Sequence, residues 1–215
     1  MYGNDGRGLN LATHVGDEPE VVQQNRLIAR DLFDLPHVVY MNQVHDSKVK
    51  IITASNKDET PTVDALVTKE RGIALAVLVA DCVPLLMHDR EVGVIAAVHV
   101  GRRGLGNGVV ANAVETMKSI GALAIHANMG PAICGDCYEV PLDMQSEISF
   151  SAPASRSVTD TGSPGLDIRD GVAWQLEQMD IDSIIDPMCT RHSQLHYSFR
   201  RDGLTGRTAG FIYLA

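Results

Sequence analysis

Aromatic residues are scarce in this chain, at 5% with a single tryptophan, and so is cysteine, with four among 215 residues. So few cysteines in a chain of this length make no disulfide framework. They fit a reducing compartment, where thiols stay free for metal or catalysis. Cationic residues are also outnumbered, 18 Lys+Arg against 27 Asp+Glu, for a net charge of −9. That balance argues against nonspecific nucleic-acid binding, which needs a basic surface, but leaves room for a local basic pocket. No apolar run reaches the ~20 residues of a membrane span; the longest, 73–87, is broken by Asp81. The opening Met1-Tyr-Gly-Asn-Asp-Gly-Arg-Gly8 lacks the basic and apolar stretches of a secretory signal. A cytoplasmic protein is therefore expected, with neither membrane nor nucleic acid as partner.

What is there is enough for a core: apolar residues make up 45% and charged residues 21%. Without repeats or linkers, residues 1–215 read as one domain. The first helix is expected from an Asp17 cap, with Pro19 in its first turn and Glu20 at capping-box spacing, to about Phe33. Short β-rich runs follow at Val38–Val44, Val49–Thr53, Ile73–Val79, Pro84–His88 and Val92–Val100, several apolar on consecutive residues as in strands covered on both faces. A glycine-rich turn over Gly101–Gly108 leads into a helix with Val109, Ala113, Val114, Met117 and Ile120 on one face. A strand near 123–128, helices near 141–149 and 168–179, and strands near 182–186 and 209–214 complete the reading. Ser149–Gly165 reads as one long surface loop. The sum is a layered α+β domain.

Three segments carry chemistry: Asn42-Gln-Val-His45, Ala80-Asp-Cys82 and Ala97-Val-His99-Val-Gly101. Each sets a metal-ligating side chain at or near a strand end, where side chains converge with little loss of entropy. One thiolate and two imidazoles suit Zn²⁺ and leave a fourth position open, as catalytic sites do. The spacing alone favours the plainer reading, Cys82 as a small core residue and the histidines as ordinary hydrogen-bonded side chains. Cys134-Gly-Asp-Cys137 is a C-x-x-C that could be a redox pair or half a zinc knuckle, but no second C-x-x-C exists and Cys189 stands alone, which excludes a Cys₄ site and favours two thiols in a glycine-rich turn. His196–Arg207 holds Arg200, Arg201 and Arg207, either an anion site of bidentate forks or a solvated turn. The Gly101–Gly108 turn could also present backbone N–H groups to an anion, but it matches neither phosphate-binding glycine motif.

Taken together, these segments resemble the multicopper polyphenol oxidoreductase, or laccase-domain, family, also known as YfiH-like or peptidoglycan editing factor proteins with purine nucleoside phosphorylase activity. The matching text is Leu9-Asn-Leu with His14-Val-Gly-Asp17, Asn25-Arg26, Asn42-Gln-Val-His45, Asp64-Ala-Leu-Val-Thr68, Ala80-Asp-Cys82, His99-x-Gly101-x-Arg103-Gly104, Gly130-Pro-Ala-Ile133, Cys137-Tyr-Glu-Val140 and Ser198-Phe-Arg-Arg-Asp-Gly-x-Thr205-Gly-Arg207. Arg102 stands where the family usually has Trp, and Asp46 where it often has Gly. The family's opening strand with its Thr-Thr-Arg has no counterpart before Leu9.

The resemblance implies a layered α/β/β/α fold and a zinc held by His45, Cys82 and His99, which would also be the catalytic residues. It implies substrate contacts from Asn10, Arg26, Arg103, Arg200, Arg201 and Arg207. The implied activity is phosphorolysis of purine nucleosides, with adenosine deamination and methylthioadenosine phosphorolysis at the same centre, and the implied partners are a nucleoside and phosphate. Copper is the alternative metal, but a multicopper oxidase needs about ten His ligands in His-x-His pairs, and the chain has eight histidines and no such pair. Two other readings use the same residues. One is a cysteine hydrolase acting on peptidoglycan precursors, with Cys82 as nucleophile and His99 or His45 as base. The other is a non-enzymatic metabolite-binding protein with a structural metal.

Overall fold

A computed structural model describes residues 8–215; the first seven residues, part of the stretch read above as carrying no secretory signal, lie outside the described residues. In chain order the elements are α1 (Pro19–Leu32), β1 (His37–Val39), β2 (Val49–Ile51), β3 (Ala65–Thr68), β4 (Ile73–Val79), β5 (Val83–Asp89), β6 (Val94–Val100), α2 (Arg102–Gly106), α3 (Val109–Ser119), β7 (His126–Met129), α4 (Leu142–Ser151), β8 (Arg156–Val158), β9 (Pro164–Leu166), α5 (Ile168–Glu177), β10 (Ser183–Ile185), α6 (Phe199–Asp202) and β11 (Thr208–Tyr213).

Two sheets form the centre. One has three strands in the order β1-β4-β11, and the other has six in the order β10-β7-β5-β6-β3-β2. The period-2 alternation of strands assigns each residue a layer. Along β6, Val94, Ala96, Val98 and Val100 face a core shared with Val109, Ala113 and Met117 of α3 and with Val172 and Leu176 of α5. Ile95 and Ala97 face the other way, into a core shared with Ile73, Leu75, Val77 and Val79 of β4. The small sheet's outer face is covered in turn, with Leu78 packed against Ala29 of α1 and the segment Leu11–Val15. The layers are thus helix, sheet, sheet, helices. The consecutive apolar residues of β4 and β6 are explained: both strands are covered on both faces, and all seven residues of each are buried.

Several local expectations differ from the structure. Asp17 does not cap α1: the cap residue is Glu18, without a side-chain bond, and Pro19 opens the helix. The Asp17 carboxylate instead accepts from the Asn10 side chain at 3.0 Å and from Glu18 N–H at 3.1 Å. Ser149–Gly165 is not one surface loop. It holds the end of α4, a 3₁₀ turn at Pro153–Ser155 and the hairpin β8–β9, and Ser155 is fully buried. The Gly101–Gly108 turn begins with the short helix α2, and Gly108 precedes α3 with φ 83°. The first strand is shorter than Val38–Val44, because the chain after Val39 leaves the sheet to build the turn that carries His45. No helix among the described residues is long and apolar enough to cross a membrane.

Candidate metal centre

His99 is the next residue to last of β6, in phase with Ile95 and Ala97, so its side chain enters the gap between the two sheets where that gap reaches the strand ends. Cys82 precedes β5, the neighbour of β6, and Pro84 pairs directly with His99. His45 comes from the β1–β2 connection, with φ 59°. Left-handed backbone at a non-glycine residue costs about 1–2 kcal/mol and persists only when surroundings fix it. Here one buried carboxylate does so. Asp64 accepts from the backbone N–H groups of Val44 (3.2 Å), His45 (3.0 Å) and Asp46 (2.7 Å), and from His99 Nδ1 at 2.8 Å. With Nδ1 donating to Asp64, Nε2 of His99 presents its lone pair to a metal. Asp81 plays the matching part for Cys82. Its own φ is 87°, and its carboxylate accepts from the Thr190 hydroxyl and from Arg200 N–H, both at 2.6 Å.

Sequence reading had not assigned a role to Asp64 or Asp81, although each sits inside a quoted motif. The signal available was an acidic residue in an apolar run, which is rarely buried without several donors.

The ligand atoms of His45, Cys82 and His99 all lie within 4.8 Å of one another, with His45 exposed, Cys82 half-buried and His99 buried. The two imidazole rings stand 4.7 Å apart between centroids, at 73°. Two nitrogens and one sulfur converging from one turn and two neighbouring strand ends fit a single borderline-soft cation, and the graded exposure leaves one side open. Gly101 makes room for the cluster. A Cβ there would lie 2.5 Å from His45 Nδ1 and 3.1 Å from Cys82 Sγ. Gly101→Ala should therefore expel bound metal while leaving the far-UV circular dichroism intact; full metal content in the purified variant would contradict the packing argument.

The charges at the centre are polarised. Burial and the neighbouring His99 push His45 down to about 4, so it is neutral across the physiological range. His99 behaves oppositely: burial disfavours its charge, but the neighbouring Cys82 sulfur and the Asp64 carboxylate overcome this and raise it to about 9. Metal uptake must displace that proton. Apparent zinc affinity should rise with pH between the ordinary histidine value of 6.5 and about 9, approaching tenfold per unit, in a competition titration. A flat profile over that window would contradict the His99 assignment.

The cluster lines one end of a cleft of about 520 Å³. Leu78, Val79, Ile133 and Phe199 give it apolar walls, and Arg102, Arg200 and Arg207 bring positive charge. Of the expected substrate contacts, Arg200 and Arg207 line the cleft, and the other four do not. Asn10 is fully buried, bonded to Ala12 and Asp17 and accepting from Arg207 N–H. Arg26 donates to Leu11 O and lies 3.8 Å over the Tyr40 ring. Arg103 is exposed on α2. Arg201 grips the carbonyls of Thr190, Arg191, Ser193 and His196 and pairs with Asp202, so it braces the loop rather than facing a ligand. The cleft also holds Arg102 and, without any contact expected from the sequence, His14, Gln43 and Tyr138. Gln43 exchanges two hydrogen bonds with the Leu78 backbone at the cleft wall, accepting from its N–H and donating to its carbonyl. Arg102, the departure from the family's Trp, stands in that wall beside Tyr138.

The expectation that Cys189 stands alone is overturned. Its Sγ lies within 4.8 Å of those of Cys134 and Cys137, because the isolated bridge between Ala132 and Cys189 zips the two segments together. None of the four cysteines is disulfide-bonded.

Compared with known proteins, residues 3–215 match the family model described as multi-copper polyphenol oxidoreductase laccase. A purine nucleoside phosphorylase of Streptomyces coelicolor is 50% identical over 212 residues, spanning 96% of this chain and 88% of that one. A solved structure of a Neisseria meningitidis protein of the DUF152 family superposes with a TM-score of 0.86 at 36% identity, covering 96% of this chain and 86% of that one. The Bacillus licheniformis protein YfiH superposes with a TM-score of 0.87 at 25% identity, covering 96% and 86%.

Proposed function

The chain belongs to the multi-copper polyphenol oxidoreductase laccase family, and from that premise we propose that it is a cytoplasmic, zinc-dependent purine nucleoside phosphorylase acting through His45, Cys82 and His99. The observation that carries the reading is the pairing, in one cleft, of a three-ligand cluster with three arginines, in a chain whose overall charge is negative. Such a cleft suits a substrate pair with one apolar aromatic partner and one anion. Among the described residues the His/Cys/acidic clusters are two, with no ligand shared, which supports a single active metal rather than a copper array.

The division of labour follows from the lining. Arg102, Arg200 and Arg207 offer planar donors suited to phosphate oxygens. Leu78, Val79, Ile133 and Phe199 suit the faces of a purine, and Tyr138 adds a phenol. Burial raises the Tyr138 hydroxyl above its ordinary value, the nearby Cys82 adds to the rise, and Arg102 and Arg200 oppose it, so it is a neutral donor at pH 7. Phosphorolysis forms a bond from a phosphate oxygen to the ribose C1′ and breaks the bond to the purine nitrogen, whose electron pair must be met by a proton or a cation. Zinc, when bound by His45, Cys82 and His99, supplies Lewis acidity and lowers the pKa of water toward ~7. Adenosine deamination and methylthioadenosine phosphorolysis are proposed for the same centre, since both present a purine in the same cleft.

One specific observation favours a second reading: the Cys82 sulfur and a His99 ring nitrogen lie within 4.8 Å of each other, a thiol beside an imidazole as in a cysteine hydrolase. The deciding experiment follows adenosine, inosine and methylthioadenosine with the zinc-loaded protein, with and without phosphate and with chelator. Base release that requires phosphate and disappears on chelation supports the phosphorylase. Amidase activity that survives chelation supports the hydrolase instead, and no turnover of any nucleoside with zinc bound overturns the proposal.

A further inference from the structure

We propose that Cys134, Cys137 and Cys189, with His192 as the fourth ligand, hold a second zinc ion that is structural and separate from the catalytic cluster. The two sites share no ligand. The three sulfurs lie within 4.8 Å of one another, and His192 Nε2 lies 3.0 Å from Cys137 Sγ. Zn–S bonds of ~2.3 Å and Zn–N bonds of ~2.0–2.1 Å place tetrahedral ligands about 3.6–3.8 Å apart. The three sulfurs are already gathered around one point, and His192, close to Cys137 but outside the mutual 4.8 Å range of all three sulfurs, would complete the tetrahedron by turning its ring toward Cys134 and Cys189.

The chain pattern agrees with the geometry. Cys134-Gly-Asp-Cys137 is a C-x-x-C, and Cys189-Thr-Arg-His192 is a C-x-x-H. Two short-spaced pairs brought together by the fold are the usual source of closed Cys₃His sites.

The surroundings are built for sulfur ligands. Cys134 N–H points at Cys189 Sγ at 3.4 Å, as donors do toward a ligating thiolate. Gly135 lets the C-x-x-C turn close: a Cβ there would meet Ser157 Oγ at 2.5 Å, and its N–H donates to Asp167 at 2.9 Å. Cys137 and Cys189 are buried among Ile133, Cys134 and Tyr138, while His192 is exposed and free to turn onto the ion. Four ligands leave no open position, which marks a structural site. Binding releases the thiol protons to solvent and needs no oxidant.

Such an ion would clamp two loops that meet at the active cleft. Ile133 and Tyr138 on the first line the cleft. Thr190 on the second donates to Asp81, next to Cys82.

The test is metal counting on protein purified under reducing, anaerobic conditions and titrated with Zn²⁺ alone. The wild type should bind two equivalents. Cys82→Ser should keep one, and Cys137→Ser should keep one, the other one. Loaded with Co²⁺, the Cys82→Ser protein should show about three times the thiolate charge-transfer absorbance per metal that Cys137→Ser shows, three thiolates against one. Should Cys137→Ser fail to fold, the exposed His192→Ala variant answers the question by weakening only the second equivalent, by at least about tenfold. A Cys82→Ser protein that binds no zinc overturns the proposal. So does a Cys134–Cys137 or Cys137–Cys189 disulfide in that anaerobic protein, which would make the cluster a redox pair.

Discussion

Cys82→Ala should abolish phosphate-dependent cleavage of purine nucleosides, lowering kcat/KM by at least about 10³-fold, the equivalent of about 4 kcal/mol of transition-state stabilisation. The sulfur is the single soft donor of the cluster, and its loss leaves two imidazoles of unequal exposure, too few to hold a zinc ion under turnover. The fold should survive, because Cys82 is half-buried at the edge of the inter-sheet core and the change removes one atom. Metal content measured beside activity separates the causes. Loss of both together agrees with a ligand role, whereas full metal with no activity points to a nucleophile, and retained activity would dismiss the centre altogether. Arg102→Ala and Arg200→Ala should instead raise the KM for phosphate and leave the metal in place.

Asp64 is the second position of large effect, although it touches neither metal nor substrate. Asp64→Ala removes the acceptor of three part-buried backbone N–H groups and of the buried His99 ring, whose unsatisfied donor alone costs about 1–3 kcal/mol. That variant should fold poorly or not at all. Asp64→Asn keeps one acceptor oxygen, and it should fold while lowering zinc affinity by about 10–100-fold, the range for losing a histidine's carboxylate partner. The readouts are zinc competition and thermal unfolding, and an unchanged zinc affinity in a folded Asp64→Asn protein would remove the positioning role. Acid should act in the same direction. Burial works against the ionised Asp64, but the hydrogen bonds from His99 and from the Asp46 and Val44 amides hold its pKa below the ordinary 3.8. A carboxylate lowered in the folded state stabilises it fully above its unfolded pKa, and the contribution is lost as pH falls below 3.8 toward the folded value. Metal release in acid should begin earlier, as the histidines and the thiolate compete with protons for the ion.

How much of this was legible beforehand varies with the range of the interaction. The strands Ile73–Val79, Pro84–His88 and Val92–Val100 are local runs of apolar residues, and each appears within a residue or two of its expected place. The helix after Gly108 was likewise visible, because its apolar spacing is a property of the segment alone. Ser149–Gly165 misled because its Ser, Pro and Gly residues signal turns but do not show that the turns pack against α5, where a Cβ at Gly171 would meet Ser155 and Ala152.

At the site, His45, Cys82 and His99 are residue identities in ordered motifs, and chain order was enough to single them out. The arginines were read by chemistry alone, and chemistry does not say which way a fork points. Arg201 and Arg200 are adjacent, yet one spends its guanidinium on loop carbonyls while the other faces the cleft.

The layered α+β class and the family are legible in the amino-acid order, because they depend on local period and on which residues follow which; His45, Cys82 and His99 stand out there as candidates. The three-dimensional packing settles what the order of residues does not: Asp64 fixes the His45 turn and the His99 ring, Asp81 holds the Arg200 amide and the Thr190 hydroxyl, Asn10 is spent on its own loop, and Cys189 meets Cys134 and Cys137. Apart from that of Asn10, each of these depends on a contact between residues distant in the chain, and the register between the two sheets and the course of the loops bring them together.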